Sequence, residues 1–191
     1  MYATPSLQGK PLQSLHLTED GVPAFVPECT SFIKKFAKTV GVFRINGNKY
    51  YIEELYHVLN HKEVAIPPCC QVHDVSGFLK NWLMNIPEPI LIPEVFNQYY
   101  VELREESIYD VIKNLPQINR KCLAYIFSAI NEVFINAHVN QMSMANISTC
   151  FQTCLTQDST RFHNHVPFPK IFQPCVKILN ETGSDFDIPD M

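Results

Sequence analysis

Apolar residues recur at intervals of three and four positions through most of this sequence. Such intervals match the 3.6-residue turn of an α-helix, whereas a half-buried strand needs an interval of two. No convincing alternation of apolar and polar residues occurs anywhere in the chain. The sequence therefore predicts an all-α domain of about eight or nine helices.

Prolines separate many of these apolar segments. The chain has 14 prolines and only 6 glycines, and a proline starts or stops a helix because its ring fixes φ and removes the N–H donor. Pro87 ends the third predicted helix, Pro93 opens the fourth and Pro116 opens the sixth. The predicted helices cover residues 22–36, 51–59, 75–86, 93–103, 108–115, 116–134, 140–155 and 168–179.

Two helix starts leave a choice between neighbouring residues. Either Pro23 or Pro27 lies in the first turn of the first helix, where proline is favoured. Asn46 and Asn48 are both candidates for the N-cap of the second helix, since an Asn side chain accepts a hydrogen bond from a free N–H of the first turn. The sequence does not decide between the members of either pair.

Length and charge restrict the domain count and the class of partner. A chain of 191 residues fits a single domain over 1–191, with irregular ends at 1–20 and 182–191. The formal net charge is −4 and no basic run occurs, so nucleic acid is not an expected partner. No apolar stretch reaches the roughly 18 residues of a membrane-spanning helix.

The seven cysteines predict free thiols. Their number is odd, no C-x-x-C occurs, and the first ten residues lack the apolar run of a signal peptide, which favours a reducing, cytoplasmic location. Cys69, Cys70 and His73 form a loose cluster that lacks a second ligand pair, so we predict no metal site. Cys150 and Cys154 lie four apart on an apolar helical face, which favours packing.

The segment 39–48 joins the first two predicted helices and carries one cation between two glycines. Its spacing, G-x5-G-N-K from Gly41, has one residue more than a phosphate-binding P-loop, lacks Ser or Thr after Lys49 and follows no strand. We therefore predict no nucleotide site in this chain. From spacing alone, Arg44 is expected to bond the carbonyl groups at a helix C-terminus.

Two predicted helices place polar residues away from their apolar stripes. At about 100° per residue, Gly77, Lys80 and Met84 lie opposite the apolar face of the third helix. On the seventh helix, Asn146 lies away from the apolar face. From spacing alone, Lys80 is a solvated surface residue, and Asn146 is either a surface residue or a contact residue.

Four motifs occur in the order found in the Rho GTPase-activating (RhoGAP) domain, and the sequence resembles that family. The loop GVFRING at 41–47 is similar to G-[IV]-[FY]-R-[VI]-S-G, and HDVSGFLKNWLMNIPEPI at 73–90 resembles H-x-V-x-x-x-L-K-x-[FYW]-L-R-x-L-P-E-P-L. LPQINR at 115–120 looks like L-P-x-x-N-R, and NQMSMANI at 140–147 looks like N-x-M-x-x-x-N-L. The likeness extends over about residues 7–181.

The resemblance implies a helical domain that docks on the switch regions of a Rho- or Rac-class small GTPase in its GTP-bound form, without a cofactor. Arg44 is then an arginine finger that enters the partner's active site, so the chain activates a GTPase and is not itself an enzyme. Lys80 supports the loop, Asn146 contacts the GTPase, and Asn46 and Gly47 belong to the loop motif. The resemblance also implies a monomeric domain of a larger signalling protein that regulates the cytoskeleton and is recruited to membranes through other domains.

The sequence departs from the family pattern at three places. Met84 stands where the family usually has Arg, which leaves open a weak or inactive module that binds a GTPase or another signalling partner. Asn46 replaces the usual Ser, a small polar exchange. Residues 152–155, QTCL, replace the common P-[NS]-L ending.

Overall fold

A computed structural model of the protein describes residues 7–61, 64–91 and 112–157. In these ranges the chain is helical, and the one pairing of extended residues is an isolated antiparallel bridge between Leu17 and Pro23. The prediction of an all-α fold is confirmed. The helices are a 3₁₀ helix at Leu12–Ser14, then α1 Phe25–Lys35, α2 Lys49–Val58, α3 Val72–Asn85, α4 Gln117–Ile135, α5 Ala137–Asn140 and α6 Met144–Thr156.

Four of the predicted helices agree with the structure. Helices α1, α2, α3 and α4 coincide with the predicted helices at 22–36, 51–59, 75–86 and 116–134, apart from a few residues at their ends. The helices predicted at 93–103 and 168–179 lie outside the described residues, as does the first half of the helix predicted at 108–115, in which residues 112–114 are described and helical. None of the helices in the described ranges combines the length and apolarity needed to cross a membrane.

The structure settles both of the helix starts that the sequence left open. Pro27 is the third residue of α1, whereas Pro23 precedes the N-cap residue Ala24. Asn48 caps α2, because its side-chain oxygen accepts a hydrogen bond from the backbone N–H of Tyr50 at 2.9 Å. The cap therefore lies directly at the end of the loop that carries the G-x5-G spacing.

The helix predicted at 140–155 begins later than the sequence indicated. Gln141 adopts a left-handed conformation with a φ of 61° after the end of α5. Ser143 caps α6 by accepting a hydrogen bond from the backbone N–H of Asn146. One continuous helix from Asn140 was a wrong prediction, because the Asn140 side chain bonds backbone groups that lie outside its own helix and competes with helical continuation.

Helix α3 occupies the centre of the described fold. It packs against α1, α2 and α6, and α1 also packs along α4. Aromatic rings fill these contacts: Phe25 meets Trp82 edge-on at a centroid distance of 4.9 Å, and Tyr56 meets Phe78 at 4.8 Å. Burying a large apolar side chain stabilises a fold by about 1.5–3 kcal/mol. The rigid position of α3 therefore determines where the loop between α1 and α2 can rest.

Candidate functional site

The loop between α1 and α2, residues 36–48, carries Arg44, and we term it the Arg44 loop. Val42 and Phe43 are almost completely buried, with 0% and 1% of their surfaces exposed. Arg44 follows them and is exposed. Within the described residues its guanidinium has no hydrogen-bond or ion-pair partner, so the expectation from spacing that it bonds helix carbonyl groups was wrong. The loop is anchored in the core next to the point where its cation reaches solvent.

Two residues of the Arg44 loop adopt left-handed backbone conformations. The φ angles are 73° at Gly41 and 72° at Phe43. A residue with a Cβ atom pays about 1–2 kcal/mol for this conformation, and the Phe43 ring offsets that cost by packing edge-on against Phe151 of α6 at 4.7 Å. The backbone N–H groups of Arg44 and Ile45 both donate to the Gly41 carbonyl, at 2.9 and 2.8 Å. These bonds fold the loop into a tight turn around Arg44.

Lys80 holds the Arg44 loop from the side of α3. Its ammonium group donates a hydrogen bond to the carbonyl oxygen of Phe43, the residue before Arg44. The sequence placed Lys80 away from the apolar face of its helix, as a solvated surface residue. In the structure its side chain extends from that position to the Arg44 loop instead of into solvent. Met84 lies one turn further along α3 and is 50% exposed.

The end of the Arg44 loop lies on the first turn of α3. The buried carboxylate of Asp74 accepts hydrogen bonds from the backbone N–H groups of Asn48, at 2.6 Å, and Gln71, at 2.7 Å. One side chain thus joins the loop to the start of α3. A Cβ atom on Gly47 would stand 2.5 Å from the carbonyl oxygen of His73, so this close backbone approach requires glycine.

Replacing Gly47 by alanine is expected to destabilise the protein. The added methyl group would meet main-chain atoms of His73 and Asp74, which cannot rotate away, and such overpacking costs about 1–3 kcal/mol. Urea denaturation would measure the change in the free energy of unfolding. Gly77→Ala is the matched control: its Cβ would first meet the terminal methyl of Ile52, which can rotate, and alanine is favoured in a helix by about 1 kcal/mol. Equal stabilities for Gly47→Ala and wild type would contradict the close approach.

Asn146 lies in the first turn of α6 and is partly buried. Its side-chain amide donates a hydrogen bond to the carbonyl oxygen of Gln141 at 3.1 Å. One turn later, burial raises the pKa of the Cys150 thiol, while the positive charges of Lys80 and Arg44 act in the opposite direction. Both cations are therefore close enough to α6 to act on its thiol. The structure thus gathers Arg44, Lys80 and the Asn146 end of α6 in one region.

The Arg44 loop and the end of α1 carry cations and no carboxylate. Residues 29–52 contain five Lys and Arg and no Asp or Glu, and residues 133–157 contain no Asp, Glu, Lys or Arg. Asp74 on α3 is only 4% exposed and bonds two backbone N–H groups. The loop is therefore locally positive in a protein whose net charge is −4. Glu53 and Glu54 follow on α2, where Glu53 pairs with Lys49 at 3.7 Å.

Exposed apolar side chains are concentrated on the same segments. Among the described residues, every exposed large apolar side chain except Leu17 belongs to the Arg44 loop, the start of α2, the outer face of α3 or the junction of α4 and α5. They are Phe36, Val40, Ile45, Tyr50, Met84, Phe134, Ile135 and Val139. Asn46 is exposed in the same loop. Grouped apolar exposure is typical of surfaces that bind other macromolecules.

The cysteine cluster does not assemble a metal site in the described part of the chain. No group of three or more His, Cys, Asp or Glu side chains there is arranged to hold a metal ion. Cys69 is exposed and Cys70 is buried. Burial raises the pKa of the Cys70 thiol to about 12 and that of Cys154 to about 11. Both thiols are thus protonated near neutral pH, which makes them poor nucleophiles and poor ligands.

Three residues that fix the Arg44 loop have no role assigned from the sequence: Phe43, Asp74 and Asn140. Phe43 and Asn140 lie inside the quoted motifs, but their roles depend on contacts across the fold. Asp74 carried a recognisable signal, because an acidic side chain three residues after the N-cap Gln71 is typical of a capping box.

The family model of the RhoGAP domain matches residues 23–160. This match covers well over half of the chain, which therefore belongs to the RhoGAP domain family. Two solved structures share the fold. Human Rho GTPase activating protein 15 is similar with a TM-score of 0.74 and 23% identity, over 94% of this chain and 92% of that one. The BH domain of GRAF, the GTPase regulator associated with focal adhesion kinase, has a TM-score of 0.66 and 20% identity, over 87% and 96%.

Curated relatives are longer proteins. Mouse Rho GTPase-activating protein 35 is 28% identical over 182 residues, which are 90% of this chain and 12% of the relative. GTPase activating protein homolog 3 of Dictyostelium discoideum is 30% identical over 125 residues, 64% of this chain and 9% of the relative. The chain therefore spans 12% or less of the length of these two relatives.

Proposed function

We propose that this domain accelerates GTP hydrolysis by a Rho- or Rac-class small GTPase in its GTP-bound form, and that Arg44 enters the active site of that partner. The observation that carries the proposal is an exposed guanidinium on a loop that is bonded to α3 and α5 and packed against α6. Membership of the RhoGAP family and the names of the relatives support GTPase activation as the general function.

An exposed arginine in a fixed position can stabilise the transition state of phosphoryl transfer. Negative charge spreads over the γ-phosphoryl oxygens in the transition state, and an Arg supplied in trans is worth about 10³–10⁵ in rate in the Ras–GAP pair. That factor corresponds to about 4–7 kcal/mol of activation free energy. A planar guanidinium donates two parallel hydrogen bonds to phosphate oxygens. A fixed loop increases the effect because the cation is already in position when the partners meet.

The surface around the Arg44 loop suits a partner with acidic and apolar groups. The positive charge of the Arg44 loop attracts acidic groups of the partner during approach and orients them. In this proposal Met84 and Asn146 contact the GTPase, Asn46 and Gly47 shape the loop, and Lys80 is a positioning residue that acts through Phe43. The domain needs no cofactor and no nucleotide site of its own, because the chemistry takes place in the partner.

We further propose that residues 1–191 form one monomeric domain of a larger cytoplasmic protein. The lengths of the relatives support this arrangement, since their matching segments are small parts of long chains. Recruitment to membranes would then be a property of other domains in the same protein.

A turnover assay tests the proposal. GTP-loaded members of the Rho class are mixed singly with catalytic amounts of the domain, and phosphate release is followed over time. We expect at least one GTPase to hydrolyse its GTP faster by a factor well above ten. Unchanged hydrolysis across the whole panel would refute GTPase activation by this domain.

Met84 is exposed at the position where the family motif usually has Arg, and this departure motivates a second candidate function, a module that binds a GTPase without activating it. A trigonal fluoride mimic of the transferred phosphoryl group separates the two functions. An activating domain binds the GDP-plus-mimic form of the GTPase more tightly than the GTP-analogue form, because it is complementary to the transition state. A pure binding module has equal affinity for both forms. Met84→Arg measures whether this position limits docking.

A further inference from the structure

We propose that Asn140 positions the Arg44 loop for catalysis, an inference that rests on the proposed role of Arg44. Asn140 is the last residue of α5, and its side chain is completely buried, with 0% of its surface exposed. An amide in the interior is stable only when its donors and acceptor have partners. The partners of Asn140 include two residues of the Arg44 loop.

Asn140 joins four parts of the chain through its hydrogen bonds. Its side-chain nitrogen donates to the carbonyl oxygens of Ala37, at 2.7 Å, and Val133, at 2.6 Å. Its side-chain oxygen accepts from the backbone N–H of Met142 at 2.8 Å. Its own carbonyl oxygen accepts from the N–H of Gly41 at 2.8 Å. The residue therefore connects the start of the Arg44 loop, its left-handed glycine, α4 and the segment before α6.

Gly41 carries this restraint to Arg44. The Gly41 N–H is bonded to Asn140, and the Gly41 carbonyl accepts the N–H groups of Arg44 and Ile45. Two successive hydrogen bonds thus separate Asn140 from the backbone of Arg44. From α3, Lys80 donates a hydrogen bond to the carbonyl of Phe43, which directly precedes Arg44. The loop is therefore fixed from two sides. Misplacing a reacting group by about 1 Å can cost roughly 10²-fold in rate.

No other side chain of similar size supplies the same set of bonds. The Asn amide offers two N–H donors and an acceptor in one plane, whereas Asp at neutral pH only accepts and Ser has a single donor on a shorter stem. Asn140→Asp and Asn140→Ser therefore both lose the bonds to Ala37 and Val133, but in different ways. An effect on GTPase activation shared by both variants reports on the lost donors.

A double-mutant cycle with Arg44→Ala distinguishes positioning from general stabilisation of the fold. Each Asn140 variant is made in the wild-type and Arg44→Ala backgrounds, and the hydrolysis rate is measured with the domain at saturation. The affinity for the GTPase loaded with a non-hydrolysable GTP analogue is measured in parallel. Asn136→Ala is the matched control, because Asn136 lies one turn earlier and its side chain bonds Glu132 rather than the Arg44 loop.

The proposal predicts a different result for each set of variants. With Arg44 present, the Asn140 variants should lower the saturated rate at least about tenfold, and with Arg44→Ala they should lower it by less than about twofold, because they act through the missing side chain. Affinity should change by less than about threefold, and Asn136→Ala should leave the saturated rate near wild type. Equal losses in both backgrounds would overturn the positioning role while leaving the role of Arg44 intact. An unchanged rate for Arg44→Ala alone would instead refute the proposed function.

Hydrogen exchange of the wild-type domain tests the same contact without a substitution. The Gly41 amide should be as protected as the amides of α4, because its bond to Asn140 opens only when that junction opens. This measurement keeps the inference falsifiable if an Asn140 variant does not fold. Exchange of the Gly41 amide at the rate of an exposed loop residue would overturn the inference.

Discussion

Arg44→Ala is expected to lower the rate of GTP hydrolysis that the domain stimulates in its partner GTPase, measured at saturating domain, by at least about 10²-fold. The domain itself should lose little stability, because the guanidinium is exposed and has no partner among the described residues. Affinity for the GTP-loaded partner should remain within a few-fold of wild type, since the interaction forms mainly in the transition state. Single-turnover hydrolysis at saturating domain, combined with titration of a GTP-analogue complex, measures both quantities.

Two further variants show whether the effect belongs to the shape of the guanidinium or only to its charge. Arg44→Lys keeps the charge but loses the planar pair of donors, so its rate should fall between those of wild type and Arg44→Ala. Lys38→Ala removes an exposed cation from the same loop and should leave the saturated rate near wild type. A loss confined to affinity in Arg44→Ala, or an equal loss in Lys38→Ala, would contradict insertion of Arg44 into the active site.

Lys80→Met is expected to reduce the saturated rate by about 10- to 10²-fold. The charged hydrogen bond to the Phe43 carbonyl is worth about 1.5–3 kcal/mol. The expected range follows if all of this free energy serves to keep the loop in its catalytic position. The methionine keeps the length of the stem, so packing along α3 changes little. The same single-turnover assay measures the rate, and thermal denaturation measures the accompanying change in stability.

Lys121→Met is the matched control for this substitution. Lys121 also donates a hydrogen bond to a backbone carbonyl, that of Asp20 at 2.6 Å, but from the second turn of α4 and away from the Arg44 loop. Its replacement should lower the stability without a selective loss of the saturated rate. Similar losses of rate in both variants would mean that Lys80 stabilises the fold and does not position the loop.

The sequence predicts those parts of the fold that local patterns determine. The apolar intervals of α1 to α4 identify these helices, because one face of each packs against the core along most of its length. Pro116 marks the start of α4 for a reason that is visible in the sequence, the loss of an N–H that a first turn does not need. The break between α5 and α6 is different. It depends on bonds from Asn140 to Ala37 and Val133, and no local interval reports such contacts.

In the candidate site, too, the sequence predicts what local patterns or the family motif indicate, and it misses what depends on contacts across the fold. Periodicity places Lys80 off the apolar face of α3, but it does not reveal the bond to Phe43. Spacing alone assigned Arg44 to helix carbonyl groups, whereas the family motif indicated an outward cation, and in the structure the side chain is exposed. The left-handed conformation of Phe43 could not be inferred, because it depends on the contact of its ring with Phe151 across the fold.

The hydrogen bond between Asn140 and Ala37 spans 103 positions of the chain. Closing a chain segment of that length carries an entropy cost that only the assembled helices can meet. During synthesis, α1, Arg44 and α2 therefore leave the ribosome well before the residue that holds their connection exists. A nascent or truncated chain that ends before position 140 carries Arg44 but lacks Asn140, which bonds the start of its loop. The proposed action on a GTPase would therefore arise only when the fold is complete.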